Sequence, residues 1–207
     1  MQVIEDLIWK CPLENHSNIK SNLLEYIDND PLGKQFIDPS ITYLKQEYDD
    51  DVVRTLREEF IDSIDHLNKT DFFSHREGLP YYYSVFYENA QEYYWEVLDR
   101  YCMENINLES VWYQQYIKKD THGWHIHPES NISFVYNLEL ESSQSSTEFY
   151  DRKNKQIVQL EVNEGDILTF PSHLIHRSAP LIGKRKTIIA GNYNFQFVDQ
   201  SLITIDK

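Results

Sequence analysis

A histidine-rich stretch lies in the middle of the chain, Thr121-His122-Gly123-Trp124-His125-Ile126-His127-Pro128. Side chains two residues apart on a β-strand point to the same face, so His125 and His127 are placed to bind one metal ion together. Imidazole is a common ligand for iron, zinc, copper and nickel. A His-x-His pair alone is a weak signal, because histidines also occur at surfaces and as hydrogen-bonded core residues.

A second segment strengthens the metal hypothesis. It runs from Gly165 to Pro180 and contains Phe170-Pro171-Ser172 and then His176. We expect His176 to be the remote third ligand. Two imidazoles from one strand and one from a distant segment give a facial arrangement that leaves coordination positions open.

The sequence around these histidines has the period of β-strands. Apolar and polar residues alternate over 109–116 and 131–138. Further strands are predicted over 147–151, 156–162, 166–170 and 187–197, with Glu164-Gly165-Asp166 as a turn. Several short strands separated by turn residues predict a β-sandwich or barrel in the second half.

The first half has mainly helical periodicity. Apolar residues at steps of three and four predict helices from Ser17 to about Pro31, over 49–67 and over 89–104. The many Tyr and Phe residues of 71–101 are expected to pack on a sheet. The sequence therefore predicts an α+β fold, with a mainly helical support region over 1–108 packed on one side of a β core.

Composition excludes several classes of protein. The 207 residues include 19 Lys and Arg against 34 Asp and Glu, a formal net charge of −15. This charge argues against nucleic-acid binding, which needs clustered cations. The chain has no apolar run long enough for a membrane span. Two cysteines and an acidic, rather than basic, opening stretch lead us to expect a cytoplasmic protein.

The two motifs resemble those of the iron(II)/2-oxoglutarate-dependent dioxygenases. The specific similarity is to an oxygenase branch with His-x-His-Pro-x-Ser, then Gly-Asp-x-Leu-x-Phe-Pro-Ser and a distal His. Here these are His125–Ser130, Gly165–Ser172 and His176, within a likeness that covers about 112–195. The resemblance implies a single oxygenase domain whose double-stranded β-helix (jelly-roll) core spans 109–198. It also implies Fe(II), 2-oxoglutarate and O₂ as cofactors.

Two spacings are similar to those of the prolyl hydroxylases, which are more distant relatives. Lys186 follows His176 by ten residues, and Tyr116 precedes His125 by nine. The resemblance implies that Lys186 holds the far carboxylate of 2-oxoglutarate, with Tyr116 as a second donor. An ammonium–carboxylate hydrogen bond is the expected contact. A strand would place Lys186, Ile188, Ala190 and Asn192 on one face, a small and mixed lining that leaves room for a ligand.

Two alternatives remain open at these positions. A bulge after Gly183 would bring Arg185 to the inner face in place of Lys186. Most of these oxygenases use two histidines and one carboxylate, whereas position 127 is His here. Glu129 would restore a carboxylate to a set with His127 and His176. We favour the His125 and His127 pair, because Pro128 interrupts the regular strand that a pair at 127 and 129 needs.

The expected reaction couples decarboxylation of 2-oxoglutarate to C–H hydroxylation of an unknown second substrate, a small molecule or a peptide side chain. Rival hypotheses are a cupin-like three-histidine metalloenzyme that does not use 2-oxoglutarate, and a jelly-roll binding module without catalysis. Specificity is expected in loops over 71–88 and 139–155. Their candidate contact residues are Tyr81-Tyr82-Tyr83 and Tyr150-Asp151-Arg152.

Overall fold

The computed structural model describes residues 7–36, 68–72, 77–117 and 121–203. Within these ranges the helices are α1 (His16–Asn29), α2 (Tyr81–Asn89) and α3 (Gln91–Tyr101). The strands in the same ranges are β1 (Trp9–Pro12), β2 (Lys34–Phe36), β3 (Asn68–Thr70), β4 (Ile106–Ile117), β5 (His122–His125), β6 (Ile132–Leu140), β7 (Thr147–Asp151), β8 (Gln156–Val158), β9 (Asp166–Pro171), β10 (His176–Ser178) and β11 (Arg185–Phe195).

The strands form two antiparallel sheets. The larger has the order β1-β9-β6-β11-β4-β3-β2, and the smaller has the order β5-β10-β7-β8. Apolar side chains of both sheets pack into one core, where the rings of Phe149 and Phe170 lie 4.8 Å apart. This pair of facing sheets is the double-stranded β-helix that the resemblance implies.

The helices cover the outer face of the larger sheet. Phe86 of α2 stacks on Phe134 of β6, with ring centroids 5.4 Å apart. The hydroxyls of Tyr83 and Tyr94 both hydrogen-bond that of Tyr193 on β11, at 3.3 and 2.5 Å. The larger sheet is therefore buried on both faces, and β6 is buried at eight of its nine residues. The prediction of helices on one side of the β core is confirmed.

The element boundaries differ from the prediction in several places. The helix expected from Ser17 is α1, and the one expected over 89–104 is α3, preceded by a helix that was not expected, α2, which ends at Asn89. The helix expected over 49–67 lies outside the described residues. Strands are found at all the positions predicted in the second half, although β8 ends at Val158. Within the described part of the first 108 residues there are also three strands, β1, β2 and β3, which join the larger sheet.

Both expected specificity loops contain regular structure. Residues 81–88 belong to α2, where Tyr82 and Tyr83 are buried in the core and only Tyr81 of the triplet is exposed. The prediction of an exposed tyrosine triplet was therefore wrong for two of its three residues. Residues 139–155 include β7, and Asp151 is buried at its end. The Asp151 carboxylate accepts hydrogen bonds from the backbone N–H groups of Lys153 and Asn154, at 2.9 and 3.2 Å, and so closes a turn.

Cys11 and Cys102 are both free thiols. In the described parts of the chain, the helices are too short and too polar to cross a lipid bilayer.

We predict that Gly191→Ala destabilises the protein. Gly191 lies on β11, where an added Cβ would approach the Ser110 carbonyl oxygen to 2.8 Å and Phe134 Cε1 to 2.5 Å. The backbone oxygen belongs to a paired strand and cannot move aside. Overpacking of this kind costs about 1–3 kcal/mol of unfolding free energy, measurable by urea denaturation. The control Glu92→Ala, exposed on α3, should change it by less than about 0.5 kcal/mol. An unchanged midpoint for Gly191→Ala would contradict this packing.

Candidate metal centre

Strand pairing brings His125 and His176 together. β5 and β10 are antiparallel neighbours, and these two residues face each other across the pair. Directly opposite side chains in an antiparallel pair point to the same side of the sheet. Their ring centroids are accordingly 4.3 Å apart. His176 is 5% exposed and also contacts Phe170, whose ring lies 4.7 Å away.

His127 joins the pair from a loop. β5 ends at His125, so the strand alternation expected to align the two residues does not extend to His127. Instead, the His127 backbone N–H donates to the Ser172 carbonyl oxygen at 2.9 Å. This bond holds its ring 5.0 Å from that of His125 and 5.2 Å from that of His176. One ring nitrogen of each histidine lies within 4.8 Å of the others.

The hydrogen bonds of two rings fix the tautomer that metal binding requires. His125 Nδ1 lies 2.7 Å from the Gly123 carbonyl oxygen, and His176 Nδ1 lies 2.8 Å from that of Leu174. A carbonyl only accepts, so each Nδ1 carries the proton and each Nε2 keeps its lone pair. Contacts of this kind orient metal-binding histidines in proteins.

Burial favours the neutral form of His127 and His176. It lowers the pKa of His127 to about 4, with His125 and His122 adding to the effect. It lowers the pKa of His176 well below the usual value for the same main reason, with His125 as the next cause. Neutral imidazoles close together, without a carboxylate among them, form a set of nitrogen donors suited to a transition metal ion.

Glu129 and His122 lie near the three histidines but outside the donor set. Among the described residues, the group that can hold a metal ion is His125, His127 and His176. Glu129 is exposed, in the turn that follows His127. The His122 ring packs edge to face on that of His125, with ring centroids 4.4 Å apart. His122 precedes His125 in the sequence, whereas His127 follows it.

The three histidines line a cavity of about 350 Å³ between the two sheets. Most of its walls are apolar or aromatic, with a few hydroxyl and amide groups. Trp112 lies against the metal centre, since its ring centroid is 5.6 Å from that of His127. Other side chains that line the cavity include Phe72, Gln114, Tyr116, Trp124, Ile126, Arg177, Ser178 and Ile188.

Lys186 is buried between the sheets, 2% exposed. Its ammonium donates to the Ser145 carbonyl oxygen at 2.6 Å and to Ser178 Oγ, and it lies 4.2 Å from the centre of the Tyr116 ring. Tyr116 and Ser178 both line the cavity. Burial lowers the pKa of Lys186 to about 7, against an opposing effect of Glu148. The protein therefore stabilises the positive charge of Lys186 only weakly, and an anion bound beside it would stabilise that charge further.

The remaining candidates for cosubstrate binding are placed differently. Asn192 shares the inner face with Lys186, but its amide is bound to Ser133 at 2.7 Å and to Ser110 at 3.0 Å. The pairing of β11 with β4 is regular from Arg185 to Asn192, so no bulge exchanges Arg185 with its neighbour. The Arg185 guanidinium binds Glu139 at 2.6 Å and Asp28 at 3.2 Å. This geometry favours Lys186 over Arg185.

The sequence reasoning missed Gln114, Trp112 and Ser178. Trp112, Gln114 and Tyr116 alternate along β4 and line the cavity together. Because Tyr116 was already a candidate, the period of two would have identified the other two residues. Ser178 lies two residues after His176 on β10. No sequence signal pairs it with Lys186, since that contact joins two sheets.

No protein-family model matches the sequence, and no curated protein matches it. Solved structures do match. An oxidoreductase of the 2OG-Fe(II) oxygenase family from Burkholderia pseudomallei covers 94% of this chain and 88% of its own, with a TM-score of 0.65 and 10% identity. A prolyl-4-hydroxylase from Pseudomonas putida covers 94% and 97%, with a TM-score of 0.58 and 9% identity.

A third similar structure is the viral collagen prolyl hydroxylase vCPH from Paramecium Bursaria Chlorella virus-1, solved as a 2OG complex. It covers 93% of this chain and 98% of its own, with a TM-score of 0.55 and 12% identity. Such likenesses concern the fold. They confirm an α+β jelly-roll architecture shared with 2-oxoglutarate/iron(II) oxygenases and prolyl hydroxylases.

We predict that the three-histidine cluster binds one divalent transition metal ion. Alanine at His125, His127 or His176 should each lower Co(II) affinity by about 10-fold or more, because a ligand is lost. The measurement is anaerobic titration with Co(II), followed by its visible spectrum. His173→Ala is the matched control, an exposed histidine three residues from His176. Glu129→Ala should also bind normally. Normal binding by His127→Ala with loss in Glu129→Ala would identify the carboxylate as the ligand instead.

Proposed function

We propose that this chain is an Fe(II)- and 2-oxoglutarate-dependent oxygenase that hydroxylates a C–H bond of a second substrate. One observation supports it most: three histidines line an apolar cavity of a jelly roll, and the ammonium of a buried lysine contacts Tyr116 and Ser178, which line the same cavity. Neither feature stabilises the fold by itself, since each puts polar groups in the core. Together they match a dicarboxylate that bridges a cation and a metal.

His125, His127 and His176 would hold the iron through their neutral nitrogens. When bound, the iron supplies the activation of O₂ and the oxidative decarboxylation of 2-oxoglutarate that the protein itself cannot perform. The Gly123 and Leu174 carbonyls hold the rings of His125 and His176, and the Ser172 carbonyl holds the backbone of His127. Three imidazoles leave the ion one charge unit more positive than two imidazoles and a carboxylate would.

Lys186 would bind the far carboxylate of 2-oxoglutarate. Two of its N–H groups already point at Ser145 and Ser178, which fixes the position of the ammonium. A charge-assisted hydrogen bond in a dry site is stronger than the same bond in water. The Tyr116 ring below the ammonium adds a cation–π contact and excludes water from one side. The viral prolyl hydroxylase, which was solved with 2OG, shows that this fold admits the cosubstrate in a relative.

A cupin-like metalloenzyme that does not use 2-oxoglutarate remains the second candidate, because the ligand set has three imidazoles and no carboxylate. Such an enzyme would need iron and the apolar cavity but not Lys186. The two functions therefore differ in what the lysine does.

We predict that 2-oxoglutarate added to the Fe(II)-loaded protein without oxygen produces the visible charge-transfer band of chelated iron. Admission of air should then form succinate. Lys186→Met should weaken 2-oxoglutarate binding by about 100-fold or more, since one partner of a buried ion pair is removed. Lys184→Met is the control, because Lys184 is exposed two residues away on the same segment.

The two candidates give opposite results here. Loss of the band in Lys186→Met, with normal iron binding, supports 2-oxoglutarate as cosubstrate. An absent band and no succinate from the wild-type protein that binds iron would favour the cupin-like enzyme. No iron binding at all would favour a non-catalytic binding module.

We predict that 2-oxoglutarate affinity falls as the pH rises above neutrality. The pKa of Lys186 in the free protein is lowered to about 7, so above this pH the free lysine is neutral. A bound carboxylate stabilises the ammonium, and binding therefore takes up a proton. Linkage then weakens binding by up to about tenfold per pH unit above pH 7, and by little below it.

The measurement is anaerobic calorimetry of 2-oxoglutarate binding in buffers of different ionisation enthalpy, at pH values above neutrality. These give both the affinity and the number of protons taken up. Lys186→Met should show no proton uptake from this group. A constant wild-type affinity across this range would contradict the assignment of Lys186.

A further inference from the structure

We infer that the second substrate enters the cavity as an uncharged, ring-bearing group with a hydrogen-bond acceptor, held between aromatic side chains and the Gln114 amide. This inference rests on the proposed function, which makes the cavity the place where substrate meets the metal. It names the class of substrate and the residues that select it.

Large apolar side chains surround the opening of the cavity. Phe72 is 50% exposed, Trp124 is 39% exposed and Ile126 is 43% exposed. Phe72 packs edge to face on Trp112 at 5.0 Å, on the side of the larger sheet. Trp124 comes from β5 of the smaller sheet and packs against Tyr150 at 6.1 Å. Exposed apolar side chains grouped at a cavity mark a binding surface.

The one permanent charge among the described residues of the cavity is paired within the protein. Among the described residues that line the cavity, Arg177 is the one with a permanent charge. Its guanidinium binds the Glu148 carboxylate at 2.6 Å and lies 4.5 Å from the centre of the Trp124 ring. Arg177 therefore holds Trp124 in place and has little charge left for a ligand. A charged substrate group would lose its hydration here without a partner.

Gln114 supplies an unused polar group inside the cavity. The residue is 4% exposed, and no residue in the described part of the chain accepts a hydrogen bond from its Nε2. A buried amide without a partner costs free energy and calls for a ligand or water. Gln114 lies between Trp112, which contacts the metal centre, and Tyr116, which contacts Lys186. Gln114 lines the same cavity as the metal centre, so the proposed substrate acceptor is assigned to this amide.

The size of the cavity fits a single ring beside the cosubstrate. Its 350 Å³ must hold 2-oxoglutarate as well as the reacting part of the substrate. Ring-shaped groups pack well on aromatic walls, edge to face or offset. We therefore expect a ring with a neighbouring carbonyl or amide to enter, while the rest of the substrate stays at the surface.

Three small probes test the inference: benzamide, benzoate and benzylamine. They share a ring and differ in charge, and benzamide has a neutral acceptor. Binding is measured by equilibrium dialysis under argon, once with Fe(II) and 2-oxoglutarate and once without either. We expect benzamide to bind at least about tenfold more tightly than the two ions, since they pay for desolvation. No retention of benzamide would overturn the inference, and so would equal or tighter binding of either ion in the presence of Fe(II) and 2-oxoglutarate, where the cosubstrate already occupies Lys186.

Two variants connect the binding to the residues. Trp124→Ala and Gln114→Leu should each weaken benzamide binding by about 3- to 10-fold, through the lost ring contact and the lost hydrogen bond. Trp95→Ala is the matched control, because Trp95 is a 69% exposed tryptophan on α3. It should leave benzamide affinity unchanged.

Thermal unfolding separates binding from a structural role. Gln114→Leu removes a buried amide without a partner, so its melting temperature should stay equal or rise. A lower melting temperature with unchanged benzamide affinity would make Gln114 structural and overturn its assignment. Dialysis without iron does not depend on the charge-transfer band, so the two proposals can fail separately. If the band is absent but benzamide binds, the proposed reaction is refuted and the ring site is retained.

Discussion

The antiparallel pairing of β10 with β5 determines the position of the site. It places His176 opposite His125, while β7 on the other side places Phe149 opposite His176. A slip of one residue would turn His176 to the outer face of the small sheet, because side chains alternate. The larger sheet, with helices on its outer face, supplies the rigid wall against which this register is held. The larger sheet, covered by helices, therefore contributes to function by keeping His125 and His176 in register.

The site is a compromise between stability and chemistry. Three histidines and one buried lysine gain little from each other, because none of them carries a negative charge. A core of apolar residues of similar size would be more stable. Residues that lower stability in this way are common at binding sites, where the ligand restores the missing interactions. In the proposed function, a metal ion and a dicarboxylate would supply the additional interactions that stabilise these groups.

Periodicity predicted the core because the strands of the second half alternate cleanly. Ile132, Phe134, Tyr136 and Leu138 face the helices, whereas Ser133 and Val135 face the other way. The aromatic helix α2 was not predicted, since Tyr and Phe favour strands as readily as helices and its burial comes from tertiary packing. The position of His127 depends on a backbone bond to Ser172 from another segment. Contacts between distant segments leave no periodic trace in the sequence.

The net charge of −15 has little bearing on the cavity. Two arginines of this region each form a salt bridge with a glutamate. Arg177 pairs with Glu148, and Arg185, the residue before Lys186, pairs with Glu139. These pairs neutralise two cations near the surface, whereas the buried Lys186 is held by an uncharged carbonyl oxygen and a hydroxyl. Coulomb interactions are strong in a dry interior and screened at the surface. A small dianion that reaches the interior therefore responds to the buried lysine, whatever the sign of the surface around it.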